Sequence, residues 1–336
     1  MECSSSGYRI AVLLPCYNEE AAIGQVVRDF KAALPEATVF VYDNNSTDRT
    51  VEIARAAGAL VRREPRQGKG HVVRRMFADV EADIYILADG DGTYTAASAP
   101  EMIARLIGEQ LDMVVGSRLT TFAGDAFRRG HRLGNDILTR CLGLFFGRTF
   151  TDILSGYRVF SRRYVKSFPA LSTGFETETE LSVHALELRM PTTEVATPYK
   201  ERPPGSASKL RTYRDGWRIL MTIMMLFKEE RPLAFFSIIA GVLALAAMLL
   251  AYPVFMTYFE TGLVPRFPTA ILSTGLMILA CLSLTSGFIL DTVTRGRREM
   301  KRLFYLSLPV HCAGTRESQV LSDPPQAAAD SGAKGN

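Results

Sequence analysis

The sequence predicts an α/β protein with a mostly parallel sheet, followed by a two-helix transmembrane hairpin. Short β-type runs alternate with helical patterns over residues 8–118, which is typical of parallel βαβ units. From Leu233 to Leu290 the only charged residues are Glu260 and Arg266. The chain of 336 residues is 47% hydrophobic and 22% charged, which excludes disorder of the whole chain. It therefore divides into a polar domain and an apolar anchor.

Five β-type runs and two helical patterns form the predicted sheet and its first layers. The runs are Arg9–Leu14, Thr38–Tyr42, Ala59–Arg62, Ile84–Ala88 and Met113–Val115. The first helical pattern is Glu19–Ala33, and the second is Asp48–Ala57, with Gly58 where a C-terminal cap belongs. Because parallel sheets need both faces covered, these elements predict a layered α/β domain.

Polar residues cluster where three of these runs end. Residues 15–19 (PCYNE), 43–48 (DNNSTD) and 89–92 (DGDG) follow the first, second and fourth runs. In parallel α/β sheets, ligands bind beyond the carboxyl ends of the strands. A single Asp after a strand is usually a turn or a helix cap, but three clusters on one predicted edge indicate a binding site.

Asp89 and Asp91 have the spacing of a site for a divalent cation. Two carboxylates on a tight turn can chelate one hard ion, Mg²⁺ or Mn²⁺, which bridges nucleotide phosphates and neutralises a leaving diphosphate. Lys69, flanked by Gly68 and Gly70 in a basic loop, suits the close approach of an anion. A solvated turn and a solvated basic loop are the alternatives.

Composition excludes several other classes of protein. A formal net charge of +4 is too small to imply nucleic acid, so no nucleic-acid partner is expected. The five cysteines lack paired or metal-ligand spacing, which argues against a disulfide scaffold or a zinc finger. The four histidines are scattered, and no Ser–His–Asp or Cys–His arrangement is apparent.

Together the motifs resemble a known family. PCYNE at 15–19, DNNSTD at 43–48, GKG at 68–70, DGD at 89–91 and GSR at 116–118 occur in the order typical of family 2 glycosyltransferases. DILSGYR at 152–158 is similar to the dolichol-phosphate mannose synthase branch, which makes polyprenyl-phosphate sugars. The resemblance covers roughly residues 8–231. It implies a Rossmann-like GT-A fold and the inverting transfer of one sugar from a nucleotide sugar.

By matching position, the resemblance also implies roles for individual residues. The donor would be held by Pro15, Tyr17, Glu19, Asp43, Lys69, Asp89, Gly90 and Asp91. The metal would bind Asp89 and Asp91. The catalytic residues would be Asp91, Arg118, Arg132 and Arg202. The acceptor phosphate would meet Arg118, Arg132, Arg202, Ser206 and Lys209, with a domain linker as the alternative for residues 199–209.

Two other features bear on the predicted site. The branch often has Gln where this chain has Thr93, which implies a weaker third metal contact or another donor preference. Glu178 lies in a region that is near the active site in the family, and is a candidate contact. Glu176, Glu180 and His184 recur every four residues, on one face of a predicted helix. That face would contact sugar hydroxyls or a second metal, or else be solvated or internally paired.

The apolar region predicts two membrane spans, at about 233–255 and 269–290. Its charge-free runs reach about 20 residues, which match the ~30 Å hydrocarbon core of a bilayer. A buried hairpin inside a soluble core is the alternative. Lys and Arg flank the outer ends of both spans, so the catalytic domain and both termini are expected in the cytoplasm. The membrane would be the inner membrane of a bacterium or the endoplasmic reticulum of a eukaryote.

The predicted organisation has five parts along the chain. They are a flexible N-terminus (1–7), a GT-A domain (8–206), an amphipathic interface helix region (207–231), the hairpin (232–291), and a basic juxtamembrane segment with a disordered tail (292–336).

These features predict a membrane-anchored enzyme that transfers one sugar to dolichyl or undecaprenyl phosphate at the cytoplasmic leaflet, supplying a lipid-linked sugar for glycan assembly. DGDGTY at 89–94 favours UDP-hexose or UDP-N-acetylhexosamine over GDP-mannose as donor. The alternatives are a non-catalytic, membrane-anchored nucleotide-binding scaffold and a sugar-nucleotide pyrophosphorylase. The sequence leaves a homo-oligomer open.

Overall fold

The computed structural model describes residues 7–119, 150–170, 174, 176–200, 220–221, 224–225 and 227–309. The strands are β1 (Ile10–Cys16), β2 (Thr38–Asp43), β3 (Leu60–Arg63), β4 (Ile84–Leu87), β5 (Met113–Leu119), β6 (Arg158–Ser161) and β7 (Thr192–Pro198). The helices are α1 (Ile23–Ala33), α2 (Thr50–Ala56), α3 (Lys69–Asp79), α4 (Ala99–Gly108), α5 (Arg162–Ser167), α6 (Thr177–Glu187), α7 (Pro232–Thr261) and α8 (Phe267–Ser307). Arg132, Arg202, Ser206, Lys209 and most of the predicted amphipathic helix lie outside the described residues.

The strands form one seven-stranded sheet in the order β3-β2-β1-β4-β6-β5-β7. β6 runs antiparallel to β4 and β5, whereas the other pairings are parallel. The predicted α/β fold with a mostly parallel sheet is therefore confirmed. The sequence prediction lacked β6 and β7, because β6 has only four residues and β7 (TTEVATP) has no apolar alternation.

The two faces of the sheet bury separate apolar clusters. Along β1, Ile10, Val12 and Leu14 pack with α1 and α4, while Ala11 and Leu13 pack with α3, α5 and α6. This alternation follows from the period of two in a strand, and it covers both faces as a parallel sheet requires. The loops at the carboxyl ends of the strands are left to carry the polar motifs.

Helices α7 and α8 pack against each other as a hairpin. Both are long and apolar enough to cross a membrane, and only 11% of the most apolar window of each is buried within the structure. A core helix of a soluble protein would be mostly buried, so the low burial of both helices within the described residues argues against a hairpin inside a soluble core. Small residues line the contact, since a Cβ on Gly287 would lie 3.0 Å from the Phe236 Cβ. The hairpin indicates membrane association.

His184 lies buried on α6 in an aromatic environment. Its ring packs edge-on against Tyr164 and Phe168, with both centroid distances at 5.4 Å, and its Nε2 lies 3.2 Å from the Ser167 hydroxyl. Burial, with a smaller contribution from the positive charge of Lys301, lowers the pKa of His184 to about 3. The neutral imidazole is therefore a core side chain at neutral pH.

The low pKa of His184 predicts acid lability of the fold. The unfolded chain binds a proton at this group near pH 6.5, so stability falls as the pH drops from 6.5 towards 3. His184→Phe keeps the ring contacts and removes the titration. Between pH 7 and pH 5, the free energy of unfolding should fall by roughly 2 kcal/mol less in the variant than in the wild type. Denaturant titrations at both pH values measure this, and equal losses would contradict it.

Candidate active site

The polar motifs meet at one edge of the sheet because their strands are neighbours. β1 lies between β2 and β4, with Cys16 paired to Asp43 and Leu13 paired to Leu87. Residues 15–19, 43–48 and 89–92 therefore emerge side by side, as the sequence predicted from the carboxyl ends of parallel strands.

The loop after β1 is hydrogen-bonded to the loop after β2. The backbone N–H of Asn18 donates to the Ser46 hydroxyl (2.9 Å), and the backbone N–H of Glu19 donates to the Thr50 hydroxyl (2.8 Å). Asn18 has a positive φ of 53°, a left-handed conformation that Asn tolerates. These bonds keep residues 17–20 out of the helix, so α1 begins at Ile23 and not at Glu19 as predicted.

Four of the residues predicted to hold the donor, Pro15, Tyr17, Glu19 and Asp43, lie on this edge. Glu19 and Asp43 are buried, and the Asp43 Oδ1 accepts a hydrogen bond from the Ser46 amide at 3.1 Å. Tyr17 is 38% exposed, and Pro15 precedes it by two residues, near the end of β1, where it pairs with Tyr42. The structure brings all four together.

Asn44 orders the glycine-rich loop before α3. Its Nδ2 donates to the carbonyl oxygens of Glu64 (2.9 Å) and Arg66 (2.7 Å), and its Oδ1 accepts from the Gly68 amide (2.8 Å). Sequence reasoning placed Asn44 in a motif without a role. These three bonds determine where α3 starts, and hence where Lys69 lies.

Lys69 is buried between two carboxylates. Its Nζ lies 2.5 Å from the Asp89 Oδ1 and 2.5 Å from the Glu178 Oε1. Burial alone would lower the pKa of Lys69, but the charges of Asp89 and Glu178 outweigh it and raise the pKa above the ordinary value. The ammonium therefore persists at physiological pH and joins α3, the loop after β4 and α6.

Asp91 is held by Thr93. The Asp91 Oδ1 accepts from the Thr93 hydroxyl (2.6 Å) and from its amide (3.1 Å), and both residues are buried. Between the two aspartates, Gly90 packs so closely on the Cys16 sulfur that a Cβ would collide with it. The backbone of the motif is thus fixed from both sides.

The aspartate pair fits a divalent ion that takes most of its ligands from substrate. Within the described ranges, no group of three or more His, Cys, Asp and Glu side chains is arranged to hold a metal. Asp89 and Asp91 are hard oxygen donors, and Mg²⁺-type ions are commonly bound by one or two carboxylates together with phosphate oxygens and water. Two carboxylates meet that requirement without a third protein ligand.

Gly156 brings a second loop onto the Lys69–Asp89 pair. A Cβ at Gly156 would lie 2.8 Å from the Asp89 Oδ2 and 3.2 Å from the Lys69 Nζ, so only glycine fits without displacement. The Gly156 amide donates to the Tyr94 hydroxyl at 2.9 Å.

Arg158 supports this loop from inside the core. It is fully buried, and its guanidinium donates to the carbonyl oxygens of Ser155 (3.0 Å), Ile153 (2.9 Å) and Glu178 (3.0 Å). Sequence reasoning gave Arg158 no role. An arginine at the start of an apolar strand could have indicated such a role. A guanidinium buried there must find hydrogen-bond acceptors for its donors.

Arg118 lies at the end of β5 in a bidentate pair with Asp152. Its Nε and Nη2 donate to the two Asp152 oxygens at 2.6 and 2.7 Å, and its guanidinium lies 5.6 Å from the ring centroid of Tyr199. Burial would lower the pKa of Arg118, but Asp152 raises it above the ordinary value. The Tyr199 ring beside Arg118 lies 5.5 Å from the Tyr94 ring, and the Tyr94 hydroxyl accepts from the Gly156 amide, so this aromatic pair links Arg118 to the loop that packs on Asp89.

The face of α6 with Glu176, Glu180 and His184 is buried, which excludes a solvated face. The Glu176 Oε1 accepts from the Gly174 amide at 3.1 Å. Glu178, which the sequence predicted only as a candidate contact, lies on α6 and pairs with Lys69. What pointed to Glu178 in the sequence was its position in the family's motif region, and not the four-residue spacing of Glu176, Glu180 and His184.

Comparison with known proteins agrees with this geometry. A family model described as glycosyl transferase family 2 matches residues 11–168. Glycosyltransferase AglJ of Haloferax volcanii is 38% identical over 229 residues, covering 68% of this chain and 75% of that protein. A dolichyl-phosphate hexose transferase of the same organism is 31% identical over 223 residues, covering 66% of this chain and 95% of that protein.

The fold also matches a solved glycosyltransferase. Glucosyl-3-phosphoglycerate synthase of Mycobacterium tuberculosis, in complex with Mn²⁺, UDP-glucose and phosphoglyceric acid, superposes with a TM-score of 0.54 at 24% identity. The match covers 67% of this chain and 82% of that one. Fold and edge motifs define a GT-A sugar-transferring enzyme. The chain belongs to glycosyl transferase family 2, which sets the pyrophosphorylase alternative aside.

Gly156→Ala should impair sugar transfer. The added methyl group must displace Asp89 or Lys69, and a displacement of about 1 Å at a reacting centre can cost ~10²-fold in rate. Gly108→Ala is the matched control, because it adds the same atom at a glycine with nothing within 4 Å of the new Cβ. Turnover and thermal midpoints of both variants provide the measurement. Wild-type turnover in Gly156→Ala would show that this contact does not constrain the site.

Proposed function

We propose that this chain transfers one sugar from a nucleotide-sugar donor to a polyprenyl phosphate at the membrane surface. The observation that carries the proposal is one chain with both an Asp89–Asp91–Lys69 cluster and an exposed apolar hairpin, α7–α8. An enzyme with a water-soluble acceptor needs no hairpin, whereas an acceptor confined to the bilayer must be met there. The similarity to a Haloferax volcanii protein named dolichyl-phosphate hexose transferase supports the same acceptor class.

The donor is proposed to bind along the edge formed by the carboxyl ends of the strands, with its base and ribose at the loops after β1 and β2. Pro15, Tyr17, Glu19 and Asp43 would hold the base and ribose, with Lys69 close to the nucleotide. Asp89, Gly90 and Asp91 would face the diphosphate and hold Mg²⁺ or Mn²⁺, which neutralises the charge of the leaving nucleoside diphosphate. A UDP-hexose or UDP-N-acetylhexosamine is the proposed donor, in preference to GDP-mannose. The UDP-glucose and Mn²⁺ of the M. tuberculosis synthase are consistent with this choice.

The acceptor needs little activation by the protein. A phosphate monoester has a second pKa near 6, so its oxygen is already largely ionised at pH 7. That oxygen attacks the anomeric carbon, a new C–O bond forms, and the bond to the nucleoside diphosphate breaks with inversion. Arg118 would neutralise phosphate charge, together with Arg132, Arg202, Ser206 and Lys209. Planar guanidinium groups suit this task because they can donate two parallel hydrogen bonds to phosphate oxygens.

The orientation follows from charge near the hairpin. Lys228 and Arg231 precede α7, and α8 carries Arg295, Arg297, Arg298, Lys301 and Arg302 beyond its apolar part. By the positive-inside tendency, we propose that the catalytic domain lies on the cytoplasmic side.

A transfer assay tests the proposed function. Full-length protein in lipid nanodiscs, with Mg²⁺ or Mn²⁺, should convert undecaprenyl or dolichyl phosphate into a lipid-linked sugar with one donor from a nucleotide-sugar panel. Mass spectrometry of the lipid fraction identifies the sugar. A full panel without any lipid-linked product would refute the proposal.

Asp91→Ala should lower turnover by at least ~10²-fold, because diphosphate charge would lose a carboxylate-held counter-ion. Asp29→Ala, at an exposed aspartate of α1 bonded only locally to Gln25, is the control and should keep wild-type turnover. Chelation by EDTA should abolish transfer, and added Mn²⁺ should restore it. Activity retained in Asp91→Ala would remove the metal role of this residue.

A further inference from the structure

Helix α8 does not end where its apolar part ends. It continues to Ser307, and its last turns lie on the catalytic domain through a docking segment, residues 294–305. Four polar side chains of this segment recur every three or four residues and so share one helix face. Thr294 and Arg297 bond to Glu229 and Glu230, directly before α7, whereas Lys301 and Tyr305 bond to the catalytic domain.

Lys301 makes the central contact of the docking segment. Its Nζ donates to both Glu187 carboxylate oxygens, at 3.0 and 2.8 Å, and Glu187 is the last residue of α6. Burial and the nearby Glu230 carboxylate raise the pKa of Glu187, and the Lys301 bonds act against that rise. Both acids have side chains about 5% exposed or less. Without Lys301, two buried carboxylates would face each other with less compensating charge.

Tyr305 makes a separate contact with the sheet. Its hydroxyl donates to the Asp112 Oδ2 at 2.5 Å, and Asp112 also accepts from Arg163 and Ser161. Asp112 lies directly before β5, and Ser161 and Arg163 lie at the start of α5. None of these hydrogen bonds involves a residue of α6. The docking segment therefore has two independent attachments, one to the sheet and one to α6.

The opposite end of α6 is part of the candidate active site. The Glu178 carboxylate lies 2.5 Å from the Lys69 Nζ, and the Glu178 carbonyl oxygen accepts from Arg158 at 3.0 Å. Glu178 and Glu187 are roughly 14 Å apart along the helix. The residues between them are buried for most of that length. Movement at one end of so short and well-packed a helix must move the other end.

We infer that Glu187 and Lys301 are positioning residues for the active site. Through α6, their ion pair fixes Glu178 against Lys69, and with it the loop at residues 153–157 that Arg158 supports. The second anchor helix is in this way a part of the catalytic domain, beyond its attachment to the membrane. The inference concerns the same site as the proposed function, but it does not depend on the identity of donor or acceptor.

The alternative is that the docking segment only stabilises the domain as a whole. The two attachments separate these cases. Loss of the Tyr305 hydroxyl weakens docking at the sheet and leaves α6 untouched, whereas loss of the Lys301 ammonium acts on α6. A purely stabilising segment would produce the same pattern of loosening from either change.

Hydrogen–deuterium exchange of full-length protein in nanodiscs tests the inference without any ligand. In Lys301→Met, amides of residues 177–182 and 153–157 should exchange about tenfold faster than in the wild type. Tyr305→Phe should accelerate exchange only around residues 112 and 303–307. Arg302→Met removes one exposed positive charge from the adjacent position and should match the wild type. Lys301→Arg should restore slow exchange.

The inference is overturned if faster exchange in Lys301→Met stops at residues 183–187, or if Tyr305→Phe gives the same pattern. Should Lys301→Met fail to fold, Glu187→Gln provides the second variant. It retains an acceptor for Lys301, removes one buried charge, and should accelerate exchange at 177–182 by a smaller factor. An unchanged segment 177–182 in Glu187→Gln would then reject the inference. Exchange does not require sugar transfer, so a failed transfer assay leaves this result interpretable.

Discussion

The buried ammonium of Lys69 is the contact on which the arrangement of the site depends. It joins three elements that are far apart in sequence, because one Nζ bonds both Asp89 and Glu178. Withdrawing charged groups from water is costly unless their geometry is good, and here Glu178 is buried while Lys69 and Asp89 are partly buried, so the surroundings of the cluster are tightly specified. Asn44 fixes the start of α3, and the missing side chain of Gly156 leaves room for the pair. Each of these features is understandable only as support for the same ammonium.

The fold and the location of the site were predictable because they follow from local patterns. Apolar runs and their polar ends indicate parallel strands and a ligand edge, and Asp89, Asp91 and Lys69 came from motifs of a few residues. The partners of those residues were not predictable in the same way. Lys69 meets Glu178 across more than a hundred residues of chain, and no spacing rule reports such a contact. Strand β7 was missed because its sequence carries polar residues at both faces.

Resemblance supplied residues whose surroundings only the structure could describe. Arg118 was expected beside phosphate, and its Nε and Nη2 are both bonded to Asp152. A guanidinium held in this way is oriented in advance, and Asp152 limits the net positive charge that it presents. Thr93 shows the same distinction. Its hydroxyl bonds the carboxylate of Asp91, so a substitution there would change the orientation of that aspartate before it changed any ligand contact.

The formal charges at the site argue for a divalent cation in the proposed reaction. Among the described residues, the positive charge of Lys69 pairs with the negative charges of Asp89 and Glu178, and Asp91 adds a further negative charge two residues from Asp89. Asp152 compensates part of the positive charge of Arg118, and the buried guanidinium of Arg158 adds one more positive charge within the described part of the chain. A nucleoside diphosphate brings further negative charge to the same edge, and like charges at such distances are repelled strongly in a desolvated site. In the proposed reaction, Asp89 and Asp91 are the groups that would hold a divalent counter-ion from solution, because their carboxylates offer hard oxygen donors.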